Sequence, residues 1–380
     1  MKVMISAGES SGDRLGAGLA AALRRRDPSI EFVGMGGPKM RDAGVRLVQQ
    51  AAEISVVGIS EVLPRLPQIR RAMKRLEKVL ADERPDLLVP IDFPDFNLRL
   101  SARAGRLGVG VVFFVSPQLW AWRPGRVHKI RGLVREMLVL FDFETAFYEK
   151  AGVPVTWVGH PLAERSGVRP GEAELRRRAG LAEGGRVVAL APGSRAGEIE
   201  RHLPILLEAA RRLQAGRAGL QFLVPLAPSA PRDVVCSMVE SSGVDPIRVH
   251  PGDFPEILSV CAAGAVASGT ASLEAATAGL PMVVFYRMNR LSSWIGKRLI
   301  QVDHVAMPNL IAGRRIVPEL LQDDCNPDSL AAEIGRYLDD PARVAEVREG
   351  LGGVVRRLGE PGIYERAADR VLARLSPVFD

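Results

Sequence analysis

No run of about 18 apolar residues occurs in the 380-residue chain, so no segment reads as a membrane-spanning helix. The opening stretch MKVMISAGESSGD lacks the apolar core and cleavage site of a signal peptide and reads as a first strand and its loop. Cysteine is scarce: Cys236, Cys261 and Cys325 are scattered, odd in number and not in metal-ligand spacing. That excludes a disulfide framework and a structural zinc and fits a reducing compartment. Aromatic residues make up only 5% and are not interleaved with basic runs, which argues against a nucleic-acid partner. The G-x-G-x-x-G fingerprint is missing after the first strand, so a dinucleotide is not favoured. No D-x-D pair stands in a metal-binding context, and Asp323-Asp324 reads as surface, so no metal is expected.

What the chain does have is ordinary globular composition, 47% hydrophobic and 25% charged, at a length that allows two domains. Net charge is +7, carried mostly by arginine, since only seven of the 51 basic residues are lysine. Such a surface suits an anionic membrane or a phosphorylated substrate, or it is simply arginine-rich solvation.

The first 160 residues alternate strand and helix, the pattern of a parallel sheet covered on both faces. Strand 2–7 leads into Gly8-Glu9-Ser10-Ser11-Gly12-Asp13, a small and acidic loop, and then a helix over 15–25. Residues 31–35 form a second strand before GGPKM. Segment 54–80 mixes Val62, Leu63, Leu66 and Ile69 with Arg65, Arg70, Arg71, Lys74 and Arg75; Pro64 and Pro67 are expected to prevent a helix before Gln68. It reads either as a membrane-surface segment or as a core-packed helix with a solvated basic face.

PDLLVPI is a continuous buried strand that ends at Asp92, and ligands of open α/β sheets sit outside such carboxyl ends. Asp95 or Asn97 can cap the following helix, whereas Asp92 comes too early to do so simply, which makes it the better catalytic candidate. Strand 109–115 runs into Ser116-Pro117-Gln118-Leu119-Trp120-Ala121-Trp122-Arg123, whose two tryptophans suit a pocket lining. The basic cluster from Arg123 to Arg131 suits an anionic ligand or a solvated helix face. His160, before Pro161, reads as structural more readily than as a ligand contact.

Segment 164–185 is read as a linker and lead-in helix, after which the alternation repeats. VVALAPGSRAGEIE (187–200) is a buried strand, a Pro-Gly-Ser break and a helix start, with Arg195 projecting: an anion site, or an ordinary βα turn. A second small-residue loop, Ser268-Gly269-Thr270, also runs straight into a helix. Glu274, one turn in, either accepts from a ribose diol or compensates the helix dipole. Strand 281–286 ends at Tyr286, and 305–311, containing Asn309, reads as a loop before a helical remainder. Two doubly wound halves, with anion-receptive loops in the second and an acid at a strand end in the first, make the layout of a two-domain glycosyl transferase.

The blocks GESSGD (8–13), GGPKM (36–40), IDFPDFNLRL (91–100), SPQLWAWRPGRVHKI (116–130), VGHPL (158–162), APGSRAGEIE (191–200), SGTASLEAA (268–276), PMVVFYRM (281–288) and MPNLIAGRRIVPELLQ (307–322) together resemble the lipid-A-disaccharide synthase family in order over nearly the whole chain. The resemblance implies the GT-B architecture: two Rossmann-like domains (1–165 and 166–354) with a cleft between them, and a C-terminal helix (about 355–380) crossing back to the first. It implies inverting, metal-independent transfer from UDP-2,3-diacylglucosamine to 2,3-diacylglucosamine 1-phosphate, giving a β-1,6-linked disaccharide 1-phosphate and UDP, with no cofactor. It also implies a peripheral protein on the inner face of the bacterial cytoplasmic membrane, and a homodimer has been associated with the family.

Carried over by position, Asp92 matches the family's catalytic base and Arg195 its arginine near the diphosphate, while Glu274 and Asn309 match nucleotide-site positions. The full donor-side set is Gly193, Ser194, Arg195, Ser268, Gly269, Thr270, Glu274, Tyr286 and Asn309. Acceptor-side candidates are Ser11, Asn97, Ser116, Trp120, Trp122 and Arg123, and membrane-contact candidates are Val62, Leu63, Leu66 and Ile69. Residues 58–75 align with the family's membrane segment, although Ser60 and Arg70 stand where apolar residues are expected. The alternative on the same fold is another UDP-sugar enzyme such as a UDP-GlcNAc 2-epimerase, which should lack the SPQLWAWR block.

Overall fold

The computed structural model describes residues 1–54, 59–122, 124–164, 170–227, 230–252, 254–288 and 303–375, with side chains of 59–64, 121, 122 and 124 left aside. The chain divides into two compact units: Met1–Arg165 with Leu358–Asp380, and Ser166–Arg357.

The first unit holds β1 (Lys2–Ala7), β2 (Glu31–Gly36), β3 (Arg46–Gln50), β4 (Leu87–Ile91), β5 (Gly110–Phe114), β6 (Glu136–Val139) and β7 (Val155–Trp157). They form one parallel sheet in the order β3-β2-β1-β4-β5-β6-β7. Every residue of β4 and β5 is buried, which is why both read as unbroken apolar runs rather than alternating ones. Strand order reverses direction between β1 and β4, and their register sets Ala7 beside Ile91. The loops leaving these two strands, GESSGD and Asp92-Phe93, therefore flank one switch point.

The second unit repeats the plan with β8 (Arg186–Ala191), β9 (Leu220–Leu226), β10 (Ile247–Pro251), β11 (Ala263–Ala267), β12 (Met282–Tyr286) and β13 (Glu319–Leu321), ordered β10-β9-β8-β11-β12-β13. Here the reversal lies between β8 and β11. The exits of those two strands are the Pro-Gly-Ser-Arg and Ser-Gly-Thr loops.

Several elements depart from the sequence reading. Pro64 and Pro67 do not stop a helix: one helix runs from Ile59 to Glu83 through both. An interior proline costs roughly 3 kcal/mol. Here the cost falls near the N-terminal end, and the fully buried row Ala72, Leu76 and Leu80 anchors the rest. The GESSGD block is not wholly loop, because helix Ser10–Arg26 starts inside it. The 305–311 segment is not a loop either, since helix Met307–Ala312 starts there with Pro308 in its first turn. The short strands β3 and β13 carry too little apolar pattern to be seen in sequence.

The C-terminal helix Ile363–Leu375 packs on helix Ser10–Arg26 of the first unit. Its anchor is Glu136, at 1% exposure, whose carboxylate meets Arg370 at 2.7 Å and Arg374 at 2.9 Å and accepts from Thr156 Oγ1 at 2.6 Å. Burial alone would raise this carboxyl, yet Thr156 and the two guanidinium groups hold it below its ordinary value. Glu136→Ala leaves two arginines without their partner. Amides of Ile363–Leu375 are expected to lose about 3 kcal/mol of hydrogen-exchange protection while those of Ser166–Arg357 keep theirs. Unchanged protection would show that the ion pairs do not hold the helix.

Candidate active site

In the first unit the backbone is strained where β4 ends. Asp92 and Phe93 both adopt left-handed conformations, with φ of 46° and 48°. Such positions cost a non-glycine residue about 1 kcal/mol or more and persist only when the surroundings over-determine them. The brace is Asn97. Its amide nitrogen donates to Ser6 O at 3.1 Å, Ile91 O at 3.2 Å and Asp92 O at 2.8 Å, while its oxygen accepts from Ser6 Oγ at 2.7 Å. Asn97 is 0% exposed, and its amide, expected as an acceptor-side candidate, holds this corner. Nor does it or Asp95 cap the helix Pro94–Arg106 through its side chain.

Gly8, at the β1 exit, lets the Phe93 ring lie against the backbone, because a Cβ there would stand 2.3 Å from the ring. Asp92, beside this packing, is half-buried. Burial and then the nearby Glu9 charge raise its carboxyl to about 6, against one opposing hydrogen bond from Phe93 N–H. That value suits a group that gains and loses a proton near neutrality. Ser11 stands exposed in the first turn of the adjacent helix. Asp13 does not face out of the loop: it accepts from Gly37 N at 2.7 Å, Lys39 N at 3.1 Å and Met40 N at 3.0 Å, so it caps the helix of the GGPKM block.

The β5 exit is also strained, with Val115 at φ 68°. Ser116 is buried, and its hydroxyl donates to Glu144, an acid that the sequence reading missed. Glu144 also accepts from Trp120 Nε1 and Phe141 N, each at 3.1 Å. Burial pushes its carboxyl up, and the Ser116 hydroxyl leads the donors that oppose the shift. Ser116 Oγ and Trp120 Nε1, of the expected acceptor-side candidates, both bond to Glu144, while the Trp120 ring stays half-exposed. Arg123 and the Trp122 side chain lie outside the described residues. His160 is neutral, its imidazole lowered to about 3 by burial and the Arg14 charge; its Nδ1 accepts from Leu162 N at 3.1 Å and its ring stacks on Phe141.

A groove of about 680 Å³ runs beside this corner, between helices Ile59–Glu83 and Pro94–Arg106. Leu66, Ile69, Met73, Phe93 and Phe96 supply apolar lining, with Arg70, Arg99 and Arg106 at the same groove. Leu66 and Ile69 are half-buried in it; the side chains of Val62 and Leu63 lie outside the described residues.

In the second unit, Ser194 and Arg195 are exposed at the β8 exit, and Gly193 adopts φ 114°, a conformation that favours glycine. Glu198 faces back onto this turn. It accepts from Ser194 N at 3.3 Å, Arg195 Nη1 at 3.2 Å and Tyr286 OH at 3.1 Å, joining the β8 and β12 exits. His202, also unforeseen, joins them again: Nδ1 donates to Pro192 O at 2.7 Å, and Nε2 lies 3.2 Å from Arg287 N and 3.1 Å from Arg287 O.

At the β11 exit, Gly269 and Thr270 are exposed at the start of helix Thr270–Thr277, which also carries Glu274 half-buried. Ser268 Oγ donates to Val305 O at 3.1 Å. Asn309 is 0% exposed: it donates to Val317 O at 2.8 Å and Glu319 Oε1 at 2.7 Å, and accepts from Ile316 N and Val317 N. Asn309, expected at a nucleotide-site position, braces the 309–319 segment through these bonds. Among the described residues no group of three or more His, Cys, Asp and Glu could hold a metal ion.

Because Asp92 titrates near 6 when folded and near 3.8 otherwise, the folded state holds a proton that the unfolded chain releases between these values. Stability therefore falls as pH rises through that window and stays lower above it, by up to about 3 kcal/mol. Asp92→Asn removes this loss. Urea unfolding at pH 8 is expected to find the variant more stable by about 1–3 kcal/mol, with the gap closing by about pH 4. Equal stability at pH 8 would refute the strained, buried carboxylate.

The lipid-A-disaccharide synthetase family model matches residues 3–368. A lipid-A-disaccharide synthase of Geobacter sulfurreducens is 48% identical over 98% of this chain and 97% of its own length. That of Myxococcus xanthus is 46% identical over 99% and 98%. Solved structures share the fold at low identity. A Neisseria meningitidis UDP-GlcNAc 2-epimerase bound to UDP-GlcNAc aligns at TM-score 0.66 and 13% identity, covering 98% of this chain and 100% of its own. A calicheamicin glycosyltransferase aligns at TM-score 0.61 and 17%, covering 100% and 99%. The architecture is that of GT-B glycosyltransferases, and the epimerase likeness extends to fold alone. Nearly full-length matches at such identity leave one conclusion: the chain belongs to the lipid-A-disaccharide synthase family.

Proposed function

We propose that this glycosyltransferase moves 2,3-diacylglucosamine from its UDP donor to the sugar hydroxyl of 2,3-diacylglucosamine 1-phosphate with inversion, yielding the β-1,6-linked disaccharide 1-phosphate and UDP. The observation that carries this reading is the Asp92 carboxyl, held on a braced, strained corner at the first unit's switch point and raised to about 6. Asp92 takes the proton of the acceptor hydroxyl as that oxygen attacks the donor's anomeric carbon. The bond to the UDP oxygen breaks, and the negative charge passes to the diphosphate. Arg195 and the starts of helices Ala196–Ala215 and Thr270–Thr277 supply the positive field at the second unit's switch point. The reading uses no metal or cofactor.

The apolar groove beside Phe93 suits an acyl chain of the acceptor, and its arginines suit an anionic lipid surface. Exposed Arg71, Lys74 and Arg75 extend the basic face along the same helix. Together they support a peripheral protein working at the inner face of the bacterial cytoplasmic membrane, and no described helix is long and apolar enough to cross it.

The test is a mass-detected assay with both lipid substrates in detergent. The disaccharide 1-phosphate and UDP should appear together, and kcat/KM should fall about tenfold per pH unit below about pH 6. Asp92→Asn should lose at least ~100-fold in turnover with UDP binding retained. Consumption of UDP-GlcNAc without a lipid acceptor, or an unimpaired variant, would sink the reading. Ile69→Glu, which places a charge in the groove, should raise the acceptor KM at least ~10-fold and leave the donor KM within about twofold. An unchanged acceptor KM would take the acyl chain out of this groove.

A further inference from the structure

Glu144 lies at the start of a helix, Phe143–Lys150, yet it is 3% exposed and turned inward. Its carboxyl gathers a hydroxyl from the β5 exit, an indole N–H from helix Leu119–Trp122 and a backbone N–H from the β6 exit. All three partners are neutral donors. A carboxylate accepts only, so it can satisfy three converging donors, whereas an amide would turn its own N–H₂ toward at least one of them. Leaving a carboxyl buried without a cation is costly, so the arrangement holds only because those hydrogen bonds are made together.

The geometry also orders aromatic rings. Trp120 stands edge-on to Phe143 with centroids 5.1 Å apart, Phe143 stacks on Phe141 at 5.5 Å, and Phe141 stacks on His160 at 5.2 Å. Trp120 and Phe143 remain half-exposed, while Phe141 and His160 are buried behind them. Tyr148 closes the loop from beneath, its hydroxyl donating to Pro117 O at 3.3 Å. The β5 exit neighbours the β4 exit in the sheet, where Asp92 N donates to Phe114 O at 3.2 Å.

We propose that Glu144 is a positioning residue for the acceptor: by holding Trp120 Nε1 and Ser116 Oγ, it sets the Trp120 ring as an apolar floor against the acceptor sugar. This rests on the reading of the first unit as the acceptor side. A pyranose has an apolar C–H face that packs on an aromatic ring. Its orientation on that ring decides which hydroxyl points toward Asp92. Glu144 touches no substrate in this role; it acts through the indole.

The experiment uses the full chain and the two-substrate assay, with donor and acceptor KM measured separately. Glu144→Gln is expected to raise the acceptor KM about 10-fold, leaving the donor KM and the UDP dissociation constant within about twofold. Trp120→Phe, which keeps a ring but loses the N–H, should give an acceptor-specific rise of the same kind. The indole ¹⁵N–¹H signal assigned by its loss in Trp120→Phe should shift upfield in Glu144→Gln. Should Glu144→Gln not fold, Ser116→Ala and Trp120→Phe decide by the same KM split. An unchanged acceptor KM, equal rises in both KM values, or an unmoved indole signal overturns the role of Glu144. A wild-type chain that makes no disaccharide overturns the reaction instead, a distinguishable result.

Discussion

A parallel sheet whose strand order reverses in the middle leaves a gap at its carboxyl edge, because the two connecting helices on either side of the reversal lie on opposite faces. Both units of this protein are built on that constraint, at β1/β4 and at β8/β11. The four strand exits beside the gaps carry GESSGD, Asp92-Phe93, Pro-Gly-Ser-Arg and Ser-Gly-Thr. Chemistry-bearing residues are concentrated there, while the buried strands below are mostly apolar.

The exits of the first sheet are held in conformations that the local chain resists. Asp92, Phe93 and Val115 all take positive φ, and Val115 is β-branched, which makes it a clear outlier. Buried polar side chains from the following helices oppose that strain. Asn97 gathers three carbonyls at the β4 exit, and Glu144 gathers three donors at the β5 exit. The polarity is complementary: an amide N–H₂ serves carbonyls, and a carboxylate serves N–H and O–H groups.

The second sheet uses a different device. Its β8 and β11 exits take positive φ at no described non-glycine residue, and the segments around them are cross-linked. Glu198 ties Ser194 and Arg195 to Tyr286, His202 ties Pro192 to Arg287, and Asn309 ties 309 to 316–317 and Glu319. Arg195 is thereby supported at one end of its guanidinium by a neighbour one helical turn away, while the side chain stays more than half exposed.

Much was legible in the chain itself. Continuous apolar runs such as LLVPI marked the buried strands, because a doubly covered strand must be apolar on both faces. Small-residue breaks at their ends marked the exits, and the ordered blocks marked the family. The periodicity of Ile59–Glu83 was misread at its prolines, since tertiary packing of a buried row outweighs local propensity. What sequence could not decide was where each polar side chain turns. Asn97 and Asn309 look like ligand contacts because they lie near the exits, and Glu144 and Glu198 look like ordinary acids of a first helical turn. Their partners are mostly backbone groups or side chains on other strands' exits, brought together only when the sheets assemble. Hydrogen-bonding direction and burial are properties of that assembly, so only the tertiary structure assigned them.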